Sequence, residues 1–353
     1  MSHGAGDHAE DTADKPDGRF TPTLNSASRV LRGMAGSNTA WIFVVLMVLV
    51  AIFSGLKPDN FPTEFNIRSI ATNASVTLII AIGETFVIVT GGIDLSIGYV
   101  LMFSGVAAAQ VMSANGDPTL AGWPTVLIGL VVALLSGLLW GLLNGVLVAK
   151  GKIPAFIVTL GTLGMSWGLS EIIANGQDIR AIPTLMAQSF GLGRFFGIPW
   201  LVLIAALVAI VGELALNRTT FGRYTIGIGS SEEAARRAGI NVERHLIKVY
   251  ALSGLAAGLG GFLSLAYFQT TTITGHANDN LNAIAGTVIG GTSLFGGIGT
   301  IIGTVIGVFI PAVLQSGFII VGIQSFWQNV AVGAVLIIAV YVDQLRRSSR
   351  EGR

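Results

Sequence analysis

The amino-acid sequence predicts an all-α fold: a polytopic membrane helical bundle of about ten spans with both termini in the cytoplasm. Three observations carry that expectation. Only 11% of the 353 residues are charged and 52% are hydrophobic, whereas a water-soluble domain carries roughly 25% charged residues. The apolar residues gather into runs near the length that crosses a bilayer, about 20 residues per helix. Once those runs are counted off, Lys and Arg fall almost entirely on one side.

The runs are 40–56, 67–90, 96–113, 124–148, 153–174, 199–216, 247–269, 281–297, 298–317 and 325–342. The second starts polar, and glycines interrupt the pair around 290–299. With ten spans, Lys57, Arg68, Arg180 and Arg194 lie on one side and every other Lys and Arg of the 20 on the opposite side. The basic side is the cytoplasmic one. An even count returns the chain to the side from which it started. Residues 1–39 are expected to be a disordered cytoplasmic tail, since Met1 to Asp17 is rich in Asp, His, Ala and Gly. They lack the basic-then-apolar order of a secretory signal. The transmembrane domain is expected over 40–343, with its longest polar loop at 217–248, and 344–353 is a basic cytoplasmic tail. The absence of cysteine excludes disulfides and thiolate metal sites. No basic patch with interleaved aromatics points to nucleic acid. The partner that composition itself implies is the lipid bilayer.

Glycine accounts for 47 residues, several at helical spacing. Gly137, Gly141 and Gly145 share a face of the fourth span, and Gly299, Gly303 and Gly307 a face of the ninth. Gly164 with Gly168, and Gly254 with Gly258, are shorter versions. Small residues four apart let helices approach closely in lipid. Spans five apart in a chain of ten are also what an inverted repeat produces; the alternative is that glycine is common enough to make such triples by chance. A second echo runs from Gly91-Gly92-Ile93-Asp94-Leu95-Ser96-Ile97-Gly98 to Gly290-Gly291-Thr292-Ser293-Leu294-Phe295-Gly296-Gly297. Non-helical backbone at membrane depth survives only when buried or lining a cavity, so both are candidate pathway segments.

Within the polar loop, Ser230 to Gly239 reads as a short helix of about two turns. Ser230 and Glu233 have capping-box spacing. Glu232–Arg236 and Glu233–Arg237 are i,i+4 pairs with the acid N-terminal, the better order. Gly239 is suited to end the helix in a left-handed conformation. Ala234, Ala235 and Ala238 form a small apolar face. Two turns are too short to be stable alone, so this helix is expected to pack on its own spans or on a partner. The bland alternative is a solvated connector.

Glu233-Ala234-Ala235-x-x-x-Gly239 resembles the EAA signature of ABC-importer permeases. Gly222-Arg223-Tyr224 through Gly229, then Glu232 to Val242, resembles the monosaccharide (ribose-type) members of that family, as do Thr90 to Gly98 and Val288 to Leu294. The likeness runs from about residue 60 to 343. One departure is Asn280-Leu281-Asn282, where family members often carry an acidic pair. The resemblance implies a permease subunit for a monosaccharide or similar polyol in the bacterial inner membrane. Glu232, Glu233, Ala234, Ala235 and Gly239 would couple it to an ABC ATP-binding subunit. A periplasmic solute-binding protein would deliver the cargo, and a second permease copy or paralogue would complete the path. The chain carries no G-x-x-x-x-G-K-[ST] phosphate loop. ATP is therefore expected on the partner, with no cofactor held by this chain. Neither a catalytic nor a metal cluster is expected: H-E-x-x-H is missing, and His3, His8, His245 and His276 are scattered. The competing readings are an ABC permease for amino acids or nucleosides, and a carrier or channel that needs no ATPase.

Ionisable groups at membrane depth are functional candidates. Glu84 lies within the second span, as a group facing the path or an acid that fixes helix packing. Asp94 lies in the first glycine motif, as a pathway group or a cap for the span beginning near Leu95. Glu171 and Glu213 are near span ends. Sugars need hydrogen bonds and an aromatic face; among Trp140, Asn144, Trp167, Gln269, Gln315, Trp327 and Gln328, the candidates for the translocation path are Asn144 and Gln269.

Overall fold

The computed structural model describes residues 38–272, 278–324 and 326–351. All but the last two residues of the expected tail 1–39, together with His3, His8 and His276, lie outside them. Thirteen α-helices occur among the described residues. In chain order they are α1 (Asn38–Leu56), α2 (Glu64–Val89), α3 (Ile97–Ser113), α4 (Trp123–Ala149), α5 (Ala155–Ala174), α6 (Thr184–Met186), α7 (Trp200–Arg218), α8 (Thr220–Ser230), α9 (Glu232–Arg237), α10 (Val242–Phe268), α11 (Asp279–Ile289), α12 (Ile301–Val321) and α13 (Phe326–Glu351). A two-residue hairpin, β1 (Arg194–Phe195) with β2 (Ile198–Pro199), precedes α7. The fold is an all-α membrane bundle. Seven helices, α1, α2, α4, α5, α7, α10 and α12, are long and apolar enough to cross a bilayer.

One expected span is shorter than a bilayer is thick because a glycine turn ends its helix. The segment 281–297 is helical only as α11, which gives about 16 Å of rise against a hydrocarbon core of about 30 Å. It ends at Gly290, and Gly291, Gly296 and Gly297 take positive φ of 92°, 83° and 76° in the turn that follows, a conformation that only glycine adopts freely. On the other side of the echo, α2 ends at Thr90 and Gly91 turns with φ 84°. Residues 92–96 then run non-helically before α3 begins at Ile97.

α2 and α10 form the centre of the bundle. Ile79, Ile80, Val87, Val249 and Tyr250 are all inaccessible to solvent. α1 and α7 are peripheral, with Trp41, Phe43, Leu207 and Ile210 exposed, as suits helices that face lipid. α1 is anchored through Phe53, which stacks on Phe61 and Phe318.

The glycine stripes explain the central contact. A Cβ on Gly141 would strike the carbonyl oxygen of Tyr250, and one on Gly145 would sit 2.8 Å from the Ile247 Cα. Reciprocally, a Cβ on Gly254 would lie 2.9 Å from the Gly141 Cα. The stripes of α4 and α10 therefore face one another, backbone on backbone. The α12 stripe is used differently: Gly303 and Gly307 oppose the carbonyls of Gly290 and Gly286 at the end of α11. The two triples thus have unlike partners and lend no support to an inverted repeat. A Cβ on Gly164 or Gly168 of α5 would meet nothing within 4 Å; their spacing is not used for close packing among the described residues.

Candidate functional site

α9 forms because its ends are stopped by sequence. Ser231 is the N-cap: its backbone is extended, and its Oγ accepts from the Ala234 N–H at 3.2 Å. This corrects the expectation of a box between Ser230 and Glu233. Ser230 is still the last residue of α8, and its hydroxyl donates back to the Ile226 carbonyl at 2.9 Å. At the other end Gly239 turns at φ 83°. Its N–H donates to the Arg236 carbonyl at 3.0 Å and the Ile240 N–H to the Ala235 carbonyl at 3.1 Å, the paired bonds of a Schellman stop. Both expected ion pairs form, Arg236 with Glu232 at 2.8 Å and Arg237 with Glu233 at 2.5 Å. Arg236 also reaches Glu243 on α10 at 2.6 Å. Of the expected alanine face only Ala235 is buried, against Ile228, Val242, Ile240 and Leu246. Glu232, Glu233, Ala234, Ala238 and Gly239 are exposed. The helix is thus clamped from beneath and presents the Glu233–Arg237 pair with Ala234 and Ala238 outward.

α8 carries α9 onto the two glycine turns. The Gly297 N–H donates to the Val89 carbonyl at 2.9 Å, which joins the second turn to the end of α2. Gly229, one residue before the end of α8, lies against both: a Cβ there would strike the Val89 carbonyl and come within 2.5 Å of the Gly297 N. Gly296 packs on Gly229 and Gly91 in turn. The second turn is also tied to α13, where Ser293 Oγ donates to Asp343 Oδ2 at 2.8 Å. Any displacement of α9 bears directly on both turns.

The first turn leads into a buried polar cluster. Residues 92–96 lack a helical ladder, so side chains satisfy their backbone groups. The Asp94 N–H donates to Glu84 Oε1 at 3.1 Å. Thr159 Oγ1 on α5 donates to the Ile93 carbonyl at 3.1 Å, and Asn280 Nδ2 on α11 to the Leu95 carbonyl at 3.1 Å. Asp94 Oδ1 accepts from the Ser96 N–H at 2.9 Å and from Ser96 Oγ at 2.5 Å, while Oδ2 accepts from Ser253 Oγ on α10 at 3.3 Å. Asn144 Nδ2 on α4 donates to Ser96 Oγ at 2.9 Å, and Asn144 Oδ1 accepts from Thr162 Oγ1 at 2.8 Å. Five helices, α2, α4, α5, α10 and α11, therefore converge on five residues of non-helical chain. Three of the four residues named for the path, Glu84, Asp94 and Asn144, meet here, and all are buried. Asp94 holds the Ser96 N–H just ahead of α3, close to the expected cap; Ser96 occupies the N-cap position.

At the opposite end of the bundle a cavity of about 410 Å³ opens between α2, α10, α11, α12 and α13. Its polar lining includes Asn73, Asn282, Gln315, Gln328, Asn329 and the carboxylate of Asp279, with Tyr267 and Phe268 as aromatic faces. Lys and Arg are missing from that lining.

A family model described as branched-chain amino acid transport system / permease component matches residues 66–340. The chain belongs to this permease family. The ribose import permease protein of Escherichia coli (strain K12) is 37% identical over 316 residues, covering 87% of this chain and 96% of that protein. That of Bacillus subtilis (strain 168) is 38% identical over 303 residues, covering 86% and 91%. The galactose/methyl galactoside import permease protein of Escherichia coli (strain K12) is 33% identical over 321 residues, covering 88% and 95%. No solved structure matches.

In this multi-pass permease, Gln269 stands apart from the buried cluster. It ends α10 in a left-handed conformation with φ 57°, is exposed, and lies next to the mouth of the amide-lined cavity rather than in its lining. Gln315 and Gln328 do line it. Trp140 is packed edge-on against Phe103, and Trp167 donates to Glu171 Oε1 at 3.2 Å. Sequence reasoning missed Asn73, Asn282 and Asn329. Their signal was available as amides within or beside apolar runs, but nothing in one dimension brings the runs together. It also missed Asn280, whose amide stands where the family's acidic pair is expected and supports the Leu95 carbonyl.

Proposed function

We propose that this permease is the translocation subunit of an ATP-driven ABC importer for a monosaccharide or similar polyol in the bacterial inner membrane. The observation that carries the reading is the seating of α9. It is exposed on the side that carries Glu233 and Arg237, clamped beneath, and linked through Gly229 to both glycine turns. A partner that moves α9 thereby moves the turn that holds the buried cluster. That partner is an ATP-binding subunit, which also binds the ATP. Glu232, Glu233, Ala234, Ala235 and Gly239 are the coupling residues, and Glu84, Asp94 and Asn144 hold the segment that the coupling motion displaces. A second copy or paralogue completes the path, and a periplasmic solute-binding protein delivers cargo to the amide-lined end near Gln269.

The topology within this reading has ten crossings and cytoplasmic termini. The seven long helices, α3, the apolar part of α13 and the α11 half-helix with its turn supply them, and the bias of Lys and Arg orients them. The sugar assignment is supported by the relatives' ribose and galactoside cargoes and by the outer cavity. Amides and aromatic faces suit a neutral polyol. An amino acid, which the family description names, brings a carboxylate, and no Lys or Arg lines that cavity among the described residues to meet it.

Glu233→Lys should abolish association with the ATP-binding subunit, because it reverses charge on the exposed face; co-purification from membranes reads this out. Unchanged association and unchanged uptake would remove the coupling role. Gly229→Ala leaves that face intact but wedges α8 off Val89 and Gly297. It should leave the complex assembled and lower uptake of labelled ribose about tenfold, a barrier change of about 1.4 kcal/mol. Leucine in excess should not compete with that uptake.

A further inference from the structure

Beneath α9, at the end of the bundle that the Lys and Arg bias makes cytoplasmic, lies a second cavity of about 620 Å³, within the roughly 300–1,000 Å³ of small-molecule sites. Its walls are the first glycine turn (Thr90, Gly92), the α4–α5 connection (Lys152), α9 (Glu232, Arg236) and α10 (Glu243, Tyr250). Two polar groups in that wall lack a hydrogen-bonded or ion-paired partner among the described residues. The Tyr250 hydroxyl is buried yet has no hydrogen-bond partner among the described residues, and such an orphan is costly unless something completes it. Gly92 leaves the room for it, since a Cβ there would lie 2.6 Å from that hydroxyl. Lys152 makes no ion pair among the described residues and holds φ 54°, a strained conformation for a residue with a side chain.

We propose that this cavity binds a neutral polyol of the transported class from the cytoplasmic side, bridging Tyr250, Lys152 and the Glu232 carboxylate of α9, and so holds α9 against the α4–α5 connection when internal solute is high. This rests on the importer reading for its physiological sense, but not for its binding site. Charge decides the ligand class. Arg236 is engaged by both Glu232 and Glu243, which leaves that trio with one net negative charge, and Lys152 cancels it. A wall of mixed donors and acceptors with no net charge suits hydroxyl groups, and the Glu232 and Glu243 carboxylates repel a phosphate. The consequence is inhibition of import by accumulated cargo at a site separate from the outer cavity.

The test uses the purified full-length permease in detergent, with D-ribose as probe and D-ribose 5-phosphate as charge control. D-ribose should raise the melting temperature and the phosphate should not. Tyr250→Phe should melt no lower than the native protein without sugar, because the hydroxyl it removes is unpartnered, and it should lose the protection by ribose. Lys152→Met should weaken apparent affinity about tenfold, the loss of one charge-assisted hydrogen bond. Protection that survives Tyr250→Phe, or equal protection by the phosphate, overturns the proposal. The complex with its ATP-binding subunit, reconstituted in vesicles, supplies the functional arm. Ribose on the α9 side should slow uptake in the native complex but not in Tyr250→Phe. Equal slowing in both overturns the regulatory role. Failure of coupling itself reads out separately, as intact association of Glu233→Lys.

Discussion

Replacing Gly141 by leucine should leave little folded permease in the membrane, whereas the same change at Gly164 should be tolerated. Both glycines sit mid-helix in apolar spans, and a propensity scale treats them alike. Their surroundings differ. A Cβ at Gly141 meets the Tyr250 carbonyl oxygen and lies 3.1 Å from the Ala251 Cα, whereas one at Gly164 meets nothing within 4 Å. The obstacle at Gly141 is backbone, which cannot swing aside as a side chain can. The α4–α10 pair would have to separate along its length, taking Gly137, Gly145, Gly254 and Gly258 out of contact. Overpacking of this kind costs about 3 kcal/mol or more, while an unobstructed substitution changes stability by about 0.5 kcal/mol. Thermal unfolding in detergent, followed by size-exclusion of the fluorescently tagged protein, separates the two. Equal melting of Gly141→Leu and the native chain would mean that α4 and α10 do not meet through these glycines.

That contrast marks how far one-dimensional reading reaches. Fold class, apolar runs, the ion pairs of α9 and its C-terminal stop were legible, because each depends on residues near in sequence: an acid four before an arginine, a glycine after two turns, a run of leucine and valine. Spacing of small residues identified faces able to pack closely. It could not say that the α4 stripe meets α10, that the α12 stripe meets α11, or that the Gly164 stripe meets nothing. The N-cap missed by one residue because Ser230 and Ser231 are both capping types, and the choice depends on where α8 ends. The likeness between the two glycine motifs was visible, but not its meaning. The turns touch each other through Gly91 and Gly296 and share Gly229 as neighbour. Glu84 and Asp94 stood out as acids at membrane depth, and sequence left open whether they face a path or brace the chain. Ser253, which bonds Asp94, and Asn144 and Asn280, which bond Ser96 and Leu95 beside it, lie 48 to 185 positions away from the residues they hold.

Asp94→Ala should cut ribose uptake by about a hundredfold or more, equivalent to roughly 3 kcal/mol, while Asp94→Asn keeps much of it. The alanine removes the acceptor for the Ser96 N–H, the Ser96 hydroxyl and the Ser253 hydroxyl together. Each buried donor left without a partner costs about 1–3 kcal/mol, and lipid offers no replacement. The Ser96 N–H is the critical loss: it precedes the first turn of α3, so no helical carbonyl awaits it. With it unheld, residues 92–96 lose their fixed course, and the bond from the Asp94 N–H to Glu84 is strained at the same stroke. Asparagine retains Oδ1 for Ser96 and offers an N–H to Ser253, whose hydroxyl can accept. The pair of variants therefore separates acceptor geometry from charge. If both retain uptake, the cluster is not what the glycine turn acts upon. If asparagine is as damaging as alanine, the negative charge itself is needed, and Asp94 belongs to the route of the solute rather than to the brace around it.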